Sequence, residues 1–379
     1  MFCCKLFLGI IFGSNKMIAD RIKIIEFFVN PKSIIMKITN HGFRWIIIGI
    51  ITLLSLNDCQ GQPLKKFSFT QSKMGSPFTI TLYAIDSTEA VIITHRAFAL
   101  VDSLIMVFSD YEESSELNRL SASAGLGKWI TASTALFDIL QLSKEASLSS
   151  EGMFDITIGP VVKLWRAARK EKKLPDDSTL RQRLALVGHQ YLLLDTALKK
   201  VKLLKPGMQL DLGGIAKGYI AQEVVDFLNA AGITHALADA GGDLAMSESP
   251  PGKQGWTIGI NAPESNHKLM GKMLSLKNRA VATSGDVYQF VLFNGKKYSH
   301  IINPHTGLGS TQQRNVTVIA PTGAQADWLA SACSLLPIRK AMRLIKRQRG
   351  TALLIIEMKP GKIKTWQSRD FKKYLFAEK

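Results

Sequence analysis

The segment DLGGIAKGY, residues 211–219, combines residue types that suit a bound phosphate. Gly213 and Gly214 predict a tight turn after a strand that ends at Asp211, with a helix starting at once. Glycines let a ligand approach the backbone closely, and a helix start presents free N–H groups and a positive dipole end. Lys217 lies in the first helical turn, against the preference of the dipole, which indicates an anion nearby. The alternative is an ordinary glycine-rich turn with a surface lysine.

The segment ADWLASA, residues 326–332, places Asp327 and Ser331 four residues apart on one predicted helix, so that their side chains share a face. Carboxylate and hydroxyl oxygens suit a hard cation such as Mg²⁺, which takes few protein ligands and retains phosphate oxygens of its substrate. The alternative is an aspartate that stabilises the helix N-terminus, with a serine that has no role.

Two further segments carry groups that suit a heterocycle or a proton transfer. His300 lies in YSHIINPHTG, residues 298–307, at a predicted strand end, where it could serve as a base, a ligand, a stacking partner or only a polar surface residue. Phe154 and Asp155 lie in GMFDITIGPVVKLW, residues 152–165, between a helix stop and a Gly-Pro break. They predict either an exposed loop that holds a heterocycle or a plug in the core.

The elements that must position these residues alternate between strand and helix signals from about residue 66. A hairpin is expected over 66–84 around a Gly-Ser-Pro turn, and Asp86 and Glu89 form a capping box for a helix that ends at Phe108. Because no convincing linker interrupts residues 60–379, the pattern predicts one α+β domain with two sub-lobes around a cleft. The remaining expectations are helices at 134–149, 215–231, 323–336 and 338–348, and strands at 200–212 (two), 235–247, 255–261, 279–283, 287–293 and 315–320, then two closing strands.

Composition narrows the class of protein. The chain has 379 residues, of which 46% are hydrophobic, and a formal net charge of +18. This hydrophobic content predicts a packed globular core, whereas the positive charge is scattered and is not interleaved with aromatics, which argues against nucleic-acid binding. The four cysteines have neither metal-site nor disulfide spacing, and Cys333 is expected to be buried in an apolar helix.

Residues 1–59 are typical of an export leader. The apolar run at 45–56 follows Lys37, His41 and Arg44, and it is too short to span a bilayer comfortably but suits a signal peptide that starts at Met36. Cys59 follows the run, as the lipidated cysteine of a bacterial lipoprotein does, although Leu-Asn-Asp precedes it where small residues are usual. A non-cleaved anchor and simple secretion are the alternatives.

Taken together, these segments resemble the ApbE-like FAD:protein FMN transferases, once called thiamine biosynthesis lipoproteins. The resemblance covers about residues 68–337 and includes several further motifs in the same order: the turn at 74–76, FSDYEESSELNRLS at 108–121, ADAGGDL at 238–244 and ATSGD at 282–286. It implies a bilobed α+β fold, also described as T-fold-like, with flavin and Mg²⁺ in the cleft between the lobes.

The resemblance also implies roles for individual residues. Ser331 stands where the family usually has Thr and keeps the hydroxyl, whereas Asn303 and His305 stand where Asp and Arg are common. The implied FAD contacts are Met74, Tyr111, Met153, Phe154, Asp155, Asp211, Lys217, His300 and Ile301, and the implied Mg²⁺ ligands are the carbonyl of Gly214 with the side chains of Asp327 and Ser331.

The activity that the resemblance implies is transfer of FMN from FAD to a Thr or Ser hydroxyl of another protein, with release of AMP. His300 is the candidate base and Asp211 its competitor. The acceptor would be an exported flavoprotein, such as a subunit of a membrane redox complex, and the enzyme would lie on the periplasmic face of the bacterial inner membrane. Competing hypotheses are an Mg²⁺-dependent FAD pyrophosphatase that forms FMN and AMP, a periplasmic flavin-binding protein without turnover, and a structural lipoprotein.

Overall fold

The structure, a computed structural model, describes residues 62–262, 265–285, 290–293, 295–359 and 362–376. The expectations for Met36, the apolar run 45–56, Cys59 and residues 286–289 therefore lie outside the described residues. Pro63–Lys379 form one compact unit.

The centre of this unit is an antiparallel sheet of eight strands in the order β1-β2-β6-β7-β10-β13-β14-β15. Both faces of the sheet are covered, which is why every residue of β13 is buried and β14 begins with a continuous apolar run at 352–356. Val316 and Val318 of β13 face one hydrophobic core, and Ile319 faces the other. The strands of this sheet are β1 (Lys65–Lys73), β2 (Ser76–Ala84), β6 (Ala236–Ala240), β7 (Leu244–Met246), β10 (Arg279–Gly285), β13 (Arg314–Ala320), β14 (Ala352–Lys359) and β15 (Lys362–Gln367).

The remaining strands pair in small sheets outside the central one. They are β3 (Ile130–Thr131), β4 (Leu192–Asp195), β5 (Lys200–Leu203), β8 (Trp256–Ala262), β9 (Ser265–Leu276), β11 (Phe290–Phe293) and β12 (Lys296–Ser299), and two 3-10 turns span His189–Tyr191 and Arg369–Tyr374.

The helices are α1 (Ser87–Phe108), α2 (Glu116–Ala122), α3 (Thr134–Ser149), α4 (Gly159–Glu171), α5 (Asp177–Leu184), α6 (Ala216–Ala230), α7 (Gly323–Leu335) and α8 (Ile338–Arg347). Helices α1, α6 and α7 pack on one face of the central sheet and share its larger core. A separate, smaller core joins α4 and α5 to the β11–β12 hairpin through Val161, Trp165, Leu180, Val291 and Ile302. The α+β prediction with two lobes is confirmed.

Local signals account for several of the helix ends. Asp86 accepts a hydrogen bond from the Glu89 N–H at 2.9 Å, and Glu89 accepts one from the Ile85 N–H at 3.0 Å, which confirms the cap of α1. Helix α1 is also long and apolar enough to cross a membrane, the only such helix among the described residues. Its buried residues pack against β2, α3 and α6, so we interpret it as a core helix.

Three expectations need correction. The first hairpin turns at Met74–Gly75, both with positive φ (52° and 71°), so that Ser76 and Pro77 already begin β2. Only β5 forms within 200–212, because the following residues make a single isolated bridge, from Gln209 to Ile158. Asp211 consequently lies in a loop and does not end a strand, although its N–H is held by the Ile156 carbonyl at 2.8 Å.

Candidate functional site

A cleft of about 1020 Å³ opens where the N-terminus of α6 meets the loops after α1, α3 and β12. Its volume lies at the upper end of the range typical of small-molecule sites, which suits a dinucleotide. Asp327 is the only residue of the predicted site that does not line it. The residues that do are Met74, Tyr111, Met153, Phe154, Asp155, Asp211, Gly214, Lys217, His300, Ile301 and Ser331.

Asp327 lies directly beneath the floor of the cleft because the backbones of α6 and α7 are in contact where the two helices cross. A Cβ atom added to Gly218 would lie 2.1 Å from the Gly323 carbonyl oxygen and 2.9 Å from the Asp327 Cβ atom, so only glycine fits. The crossing brings the buried Asp327 carboxylate to the start of α6, where it accepts a hydrogen bond from the Gly218 N–H at 3.1 Å. Asp327 therefore caps a neighbouring helix, and not the N-terminus of its own helix.

Ser331 and Gly214 lie side by side above this crossing. The position of a Cβ atom on Gly214 would be 3.0 Å from the Ser331 oxygen and 3.2 Å from the Phe154 ring. Any side chain at position 214 would thus fill the space between the loop and α7. Gly214 thus lies beside Ser331, and Asp327 lies one helical turn before Ser331 in α7. The Mg²⁺ site assigned to these three residues stays a prediction.

The donor set fits a hard cation that also takes substrate oxygens. Among the described residues, no group of three or more His, Cys, Asp or Glu side chains is arranged to hold a metal ion. A site with one carboxylate, one hydroxyl and one backbone carbonyl leaves several coordination positions for phosphate oxygens and water, as Mg²⁺ sites commonly do.

We call the surroundings of Asp327 the carboxylate end. It comprises Lys217, which lines the cleft, and Asp239, Asp243 and Asp327, which do not. Burial raises the pKa of Asp327 to about 7, against the smaller opposing effects of the Gly218 N–H and Lys217. Burial and the neighbouring Asp327 raise the pKa of Asp243 well above its usual range, and burial also raises the pKa of Asp239. Among the described residues, Lys217 is the one cation that opposes the raised pKa of all three carboxyl groups.

A second group of residues that line the cleft, which we call the arginine end, consists of Arg166, Asp110, Asp211 and Tyr111. Arg166 of α4 binds Asp110 with one guanidinium nitrogen and Asp211 with the other, the latter at 2.9 Å. Its guanidinium also lies 4.1 Å from the centroid of the Tyr111 ring, a cation–π contact. Arg166 therefore ties the loop after α1 to the loop before α6.

Asp211 is fully engaged in this arrangement. Its second oxygen accepts the Gly213 N–H at 2.8 Å, which fixes the glycine turn. Burial raises the pKa of Asp211, and Asp110 adds to this effect, whereas Arg166 and the Gly213 N–H oppose it.

Of the two predictions for Phe154 and Asp155, a plug in the core and an exposed loop, the structure supports the first. Phe154 is buried and packs against Trp328 at 6.1 Å between ring centroids. Asp155 accepts hydrogen bonds from the N–H groups of Thr157 and His189 at 2.9 and 2.8 Å, so its carboxylate holds the chain in place at the cleft wall. His300 is exposed and directly follows β12, as predicted.

The Ser76 hydroxyl stands out because it has no hydrogen-bond partner. It is one of three buried side-chain polar atoms in the described part of the chain for which this holds, and the only one of them that belongs to a residue lining the cleft. A Cβ atom on Gly241 would lie 2.4 Å from the Ser76 oxygen and 3.6 Å from the Lys217 nitrogen. A donor and a cation therefore converge on the same space, which suits an anionic ligand group.

The sequence did not identify Ser76, Asp110, Arg166, Asp239 or Asp243 as site residues. Asp243 lies in the ADAGGDL run and Asp110 in the segment 108–121, but nothing in their local pattern indicates a partner. Arg166 lies 56 residues from Asp110 and 45 from Asp211 in the chain, so only the folded structure joins them.

Comparisons with known proteins agree with this geometry. The sequence profile of the ApbE family matches residues 74–355. A protein of Klebsiella pneumoniae named FAD:protein FMN transferase is 33% identical over 263 residues, which are 69% of this chain and 79% of that protein. Among solved structures, flavin transferase ApbE from Vibrio cholerae (TM-score 0.74, 25% identity) and the apo flavinyl transferase ApbE of Pseudomonas stutzeri (0.73, 26%) each align with 82% of this chain, and with 100% and 97% of their own chains.

Proposed function

Because the chain belongs to the ApbE family, we propose that it is an enzyme that transfers FMN from FAD to a hydroxyl group of an acceptor protein. The observation that carries the proposal is the cleft itself. It has the volume for a dinucleotide, and the anion-binding start of α6 adjoins a carboxylate, hydroxyl and carbonyl donor set. The curated relative and the neighbouring structures named above support flavin transfer by their names.

The reaction that we propose is a substitution at the FMN-side phosphorus of FAD. The oxygen of a Thr or Ser side chain of the acceptor attacks, an ester bond to phosphorus forms, and the bond to the bridging oxygen breaks. AMP leaves with that oxygen and its electron pair, and the proton of the attacking hydroxyl must be removed. Such transfers depend mainly on positioning and on stabilising the charge of the phosphate oxygens.

We propose that His300, and not Asp211, accepts the proton of the attacking hydroxyl. Both oxygens of Asp211 already accept hydrogen bonds, from Gly213 and Arg166, so its carboxylate serves to fix the loop. His300 is exposed at the cleft, where an incoming hydroxyl can reach it.

In this proposal, Lys217 and the Ser76 hydroxyl hold the phosphate oxygens of FAD. Mg²⁺, held by Asp327, Ser331 and the Gly214 carbonyl, would neutralise phosphate charge. Tyr111 and Met74 form the apolar surfaces against which the isoalloxazine ring and the adenine pack, and Arg166 orients the Tyr111 ring from its other side.

We further propose that the enzyme is exported and held at the periplasmic face of the inner membrane, through lipidated Cys59 or an N-terminal segment. The support is the sequence alone: a short apolar run after basic residues, followed by Cys59. An exported flavoprotein of a membrane redox complex is then the expected acceptor.

The test uses the purified chain with FAD and Mg²⁺, in the presence or absence of a Thr-containing acceptor domain from an exported flavoprotein. AMP release and covalent flavin on the acceptor are measured for the wild type and for Asp327→Ala. Labelling of the acceptor with one AMP per flavin, lost in the variant, would establish the transferase. FMN and AMP without labelling of any acceptor would instead identify a pyrophosphatase, and bound FAD without AMP a flavin carrier.

A further inference from the structure

Helix α8 carries a strongly basic exposed surface that the proposed function does not use. Its apolar residues Ala341, Leu344 and Ile345 are buried, and no acidic residue occurs between positions 337 and 350. We call the exposed cationic residues of this segment the basic surface; they are Arg339, Lys340, Arg343, Lys346, Arg347 and Arg349.

The helix dipole accounts for Lys346 and Arg347, which lie in the last turn, but not for the other charges. Arg339 and Lys340 lie in the first turn, where the helix dipole disfavours cations. Arg343 lies four residues from both Arg339 and Arg347, and like charges at this spacing destabilise a helix. Within the part of the chain that the structure describes, the one ion pair of the basic surface joins Lys340 to Glu151, at 3.3 Å between two exposed side chains. The surface is therefore largely uncompensated.

The basic surface is continuous with the rim of the cleft along two segments. Lys340, Arg343 and Arg347 line a shallow depression together with Glu151 and Leu336. Leu336 directly follows Leu335, which lines the cleft, and Met153, two residues after Glu151, lines it as well.

A third contact ties the same rim to the loop that carries His300. The His305 ring nitrogen Nε2 lies 3.1 Å from the Glu151 carbonyl oxygen, and the adjacent Pro304 lines the cleft. A protein whose hydroxyl reaches into the cleft near His300 must therefore cover this rim, and it would extend over the cationic helix next to it.

We infer that the basic surface of α8 docks an acidic segment of the acceptor protein, next to the hydroxyl that receives the flavin. The inference rests on the proposed function, since it names the chemistry of the acceptor for that same reaction. Opposite charges across such a contact increase the rate of encounter and select the partner, more than they add to final affinity.

The test compares Arg343→Glu/Arg347→Glu with the wild-type chain, using the acceptor domain that the wild type labels. Reversal of two charges is expected to lower kcat/KM for the acceptor by about tenfold or more at low ionic strength. KM for FAD and the acceptor-independent release of AMP should stay unchanged, because neither arginine lines the cleft. Raising NaCl from about 50 to about 500 mM should reduce the wild-type value towards that of the variant.

The matched control is Arg181→Glu/Arg183→Glu, which makes the same change in net charge at two exposed arginines of α5 that do not line the cleft. It should retain wild-type kinetics. The neutral variant Arg343→Gln/Arg347→Gln should fall between the wild type and the reversal, and melting curves verify that all variants are folded.

The other outcomes overturn the inference in distinguishable ways. Unchanged acceptor kinetics in the reversal variant would exclude the docking surface while leaving the transferase intact. A raised KM for FAD would assign α8 to the FAD site instead. Loss of sedimentation with phosphatidylglycerol vesicles but not of acceptor kinetics would identify an anionic bilayer as the partner. If the wild type labels no acceptor at all, the proposed function fails first, and the docking inference falls with it.

Discussion

At the arginine end of the cleft, Arg166 bridges Asp110 and Asp211. At the carboxylate end, Lys217 is the one cation in the described part of the chain that acts on Asp239, Asp243 and Asp327. Both ends bury carboxylates, but they do so with different numbers of partners. Asp211 has both oxygens bound, by Arg166 and by the Gly213 N–H. Within the described residues, Asp327 accepts one hydrogen bond, from the Gly218 N–H, and burial raises its pKa to about 7.

This difference separates two roles within one cleft. A closed network of hydrogen bonds and ion pairs rigidifies the loops that carry it. A buried carboxylate with too few partners is costly by itself and becomes favourable when a cation binds. We therefore expect the carboxylate end to contact metal and phosphate, and the arginine end to position the residues that do.

The largest effect is expected from Asp327→Asn, which keeps the shape and the acceptor for the Gly218 N–H but removes the charge that holds a cation. Acceptor labelling should fall by about 100- to 1000-fold, the scale of losing several kcal/mol of charge stabilisation by a metal. Activity should no longer respond to Mg²⁺ titration. Asp226→Asn, an exposed aspartate of α6, is the control and should behave as wild type. A Mg²⁺-responsive Asp327→Asn enzyme would contradict the assignment.

The arginine end should respond more weakly and in a different parameter. Arg166→Ala leaves Asp110 and Asp211 without their shared cation and frees the Tyr111 ring, so KM for FAD should rise by about tenfold with a smaller change in kcat. Arg166→Lys should restore little, because an ammonium group cannot bind two carboxylates in the planar fork geometry.

The matched control for this change is Lys170→Ala, an exposed cation one turn further along α4. It should leave KM for FAD unchanged. If Arg166→Ala lowered kcat as strongly as Asp327→Asn while KM stayed constant, Arg166 would belong to the reacting centre, and the two ends would not differ in role.

Sequence alone predicted the elements well wherever local signals determine them. The cap formed by Asp86 and Glu89, the apolar spacing of 134–149 and the helix over 215–231 all depend on neighbours within a few residues. The second strand expected within 200–212 was wrong, because its alternating pattern requires a partner strand and the chain there forms only the bridge of Gln209 to Ile158.

The site divides in the same way. Gly214, Lys217 and Ser331 line the cleft, and Asp327 lies beneath it. All four lie in compact motifs whose residue types indicate their chemistry. At the arginine end, Tyr111 and Asp211 were predicted, but Arg166 and Asp110 were not, because Arg166 contacts its two partners across more than 40 residues of chain. The need for glycine at position 218 also escaped prediction, since it arises only from the crossing with Gly323.

A smaller effect is expected from Ser76→Ala, which tests whether the unpartnered hydroxyl belongs to the ligand. Loss of one hydrogen bond to a charged group should weaken FAD binding by about 10- to 100-fold at most, and by a few-fold if water substitutes. The melting temperature should not fall, because the hydroxyl has no partner in the protein to lose.

Thr94→Val is the matched control for this change. The Thr94 hydroxyl is also buried without a partner, but it lies in α1 and does not line the cleft. Both variants should be at least as stable as wild type, and only Ser76→Ala should bind FAD more weakly. Equal FAD affinity in both would place Ser76 outside the phosphate site.

The smallest effect is expected in the free energy of unfolding of the metal-free protein. Its dependence on pH tests directly whether the carboxylate of Asp327 lacks a compensating charge. The folded pKa of Asp327 is about 7, above the value of about 3.9 for an unfolded chain. Between these values the folded state binds more protons, so the free energy of unfolding should fall as pH rises from about 4 to about 7, then level off.

Asp327→Asn removes this loss, so in EDTA its melting temperature should exceed that of wild type by a margin that grows over this pH range to a few degrees. Addition of Mg²⁺ at pH 8 should raise the melting temperature of wild type and not of the variant, because a cation compensates only the ionised carboxylate. A margin that is constant with pH would mean that Asp327 is already compensated within the protein, and the two ends of the cleft would then be electrostatically alike.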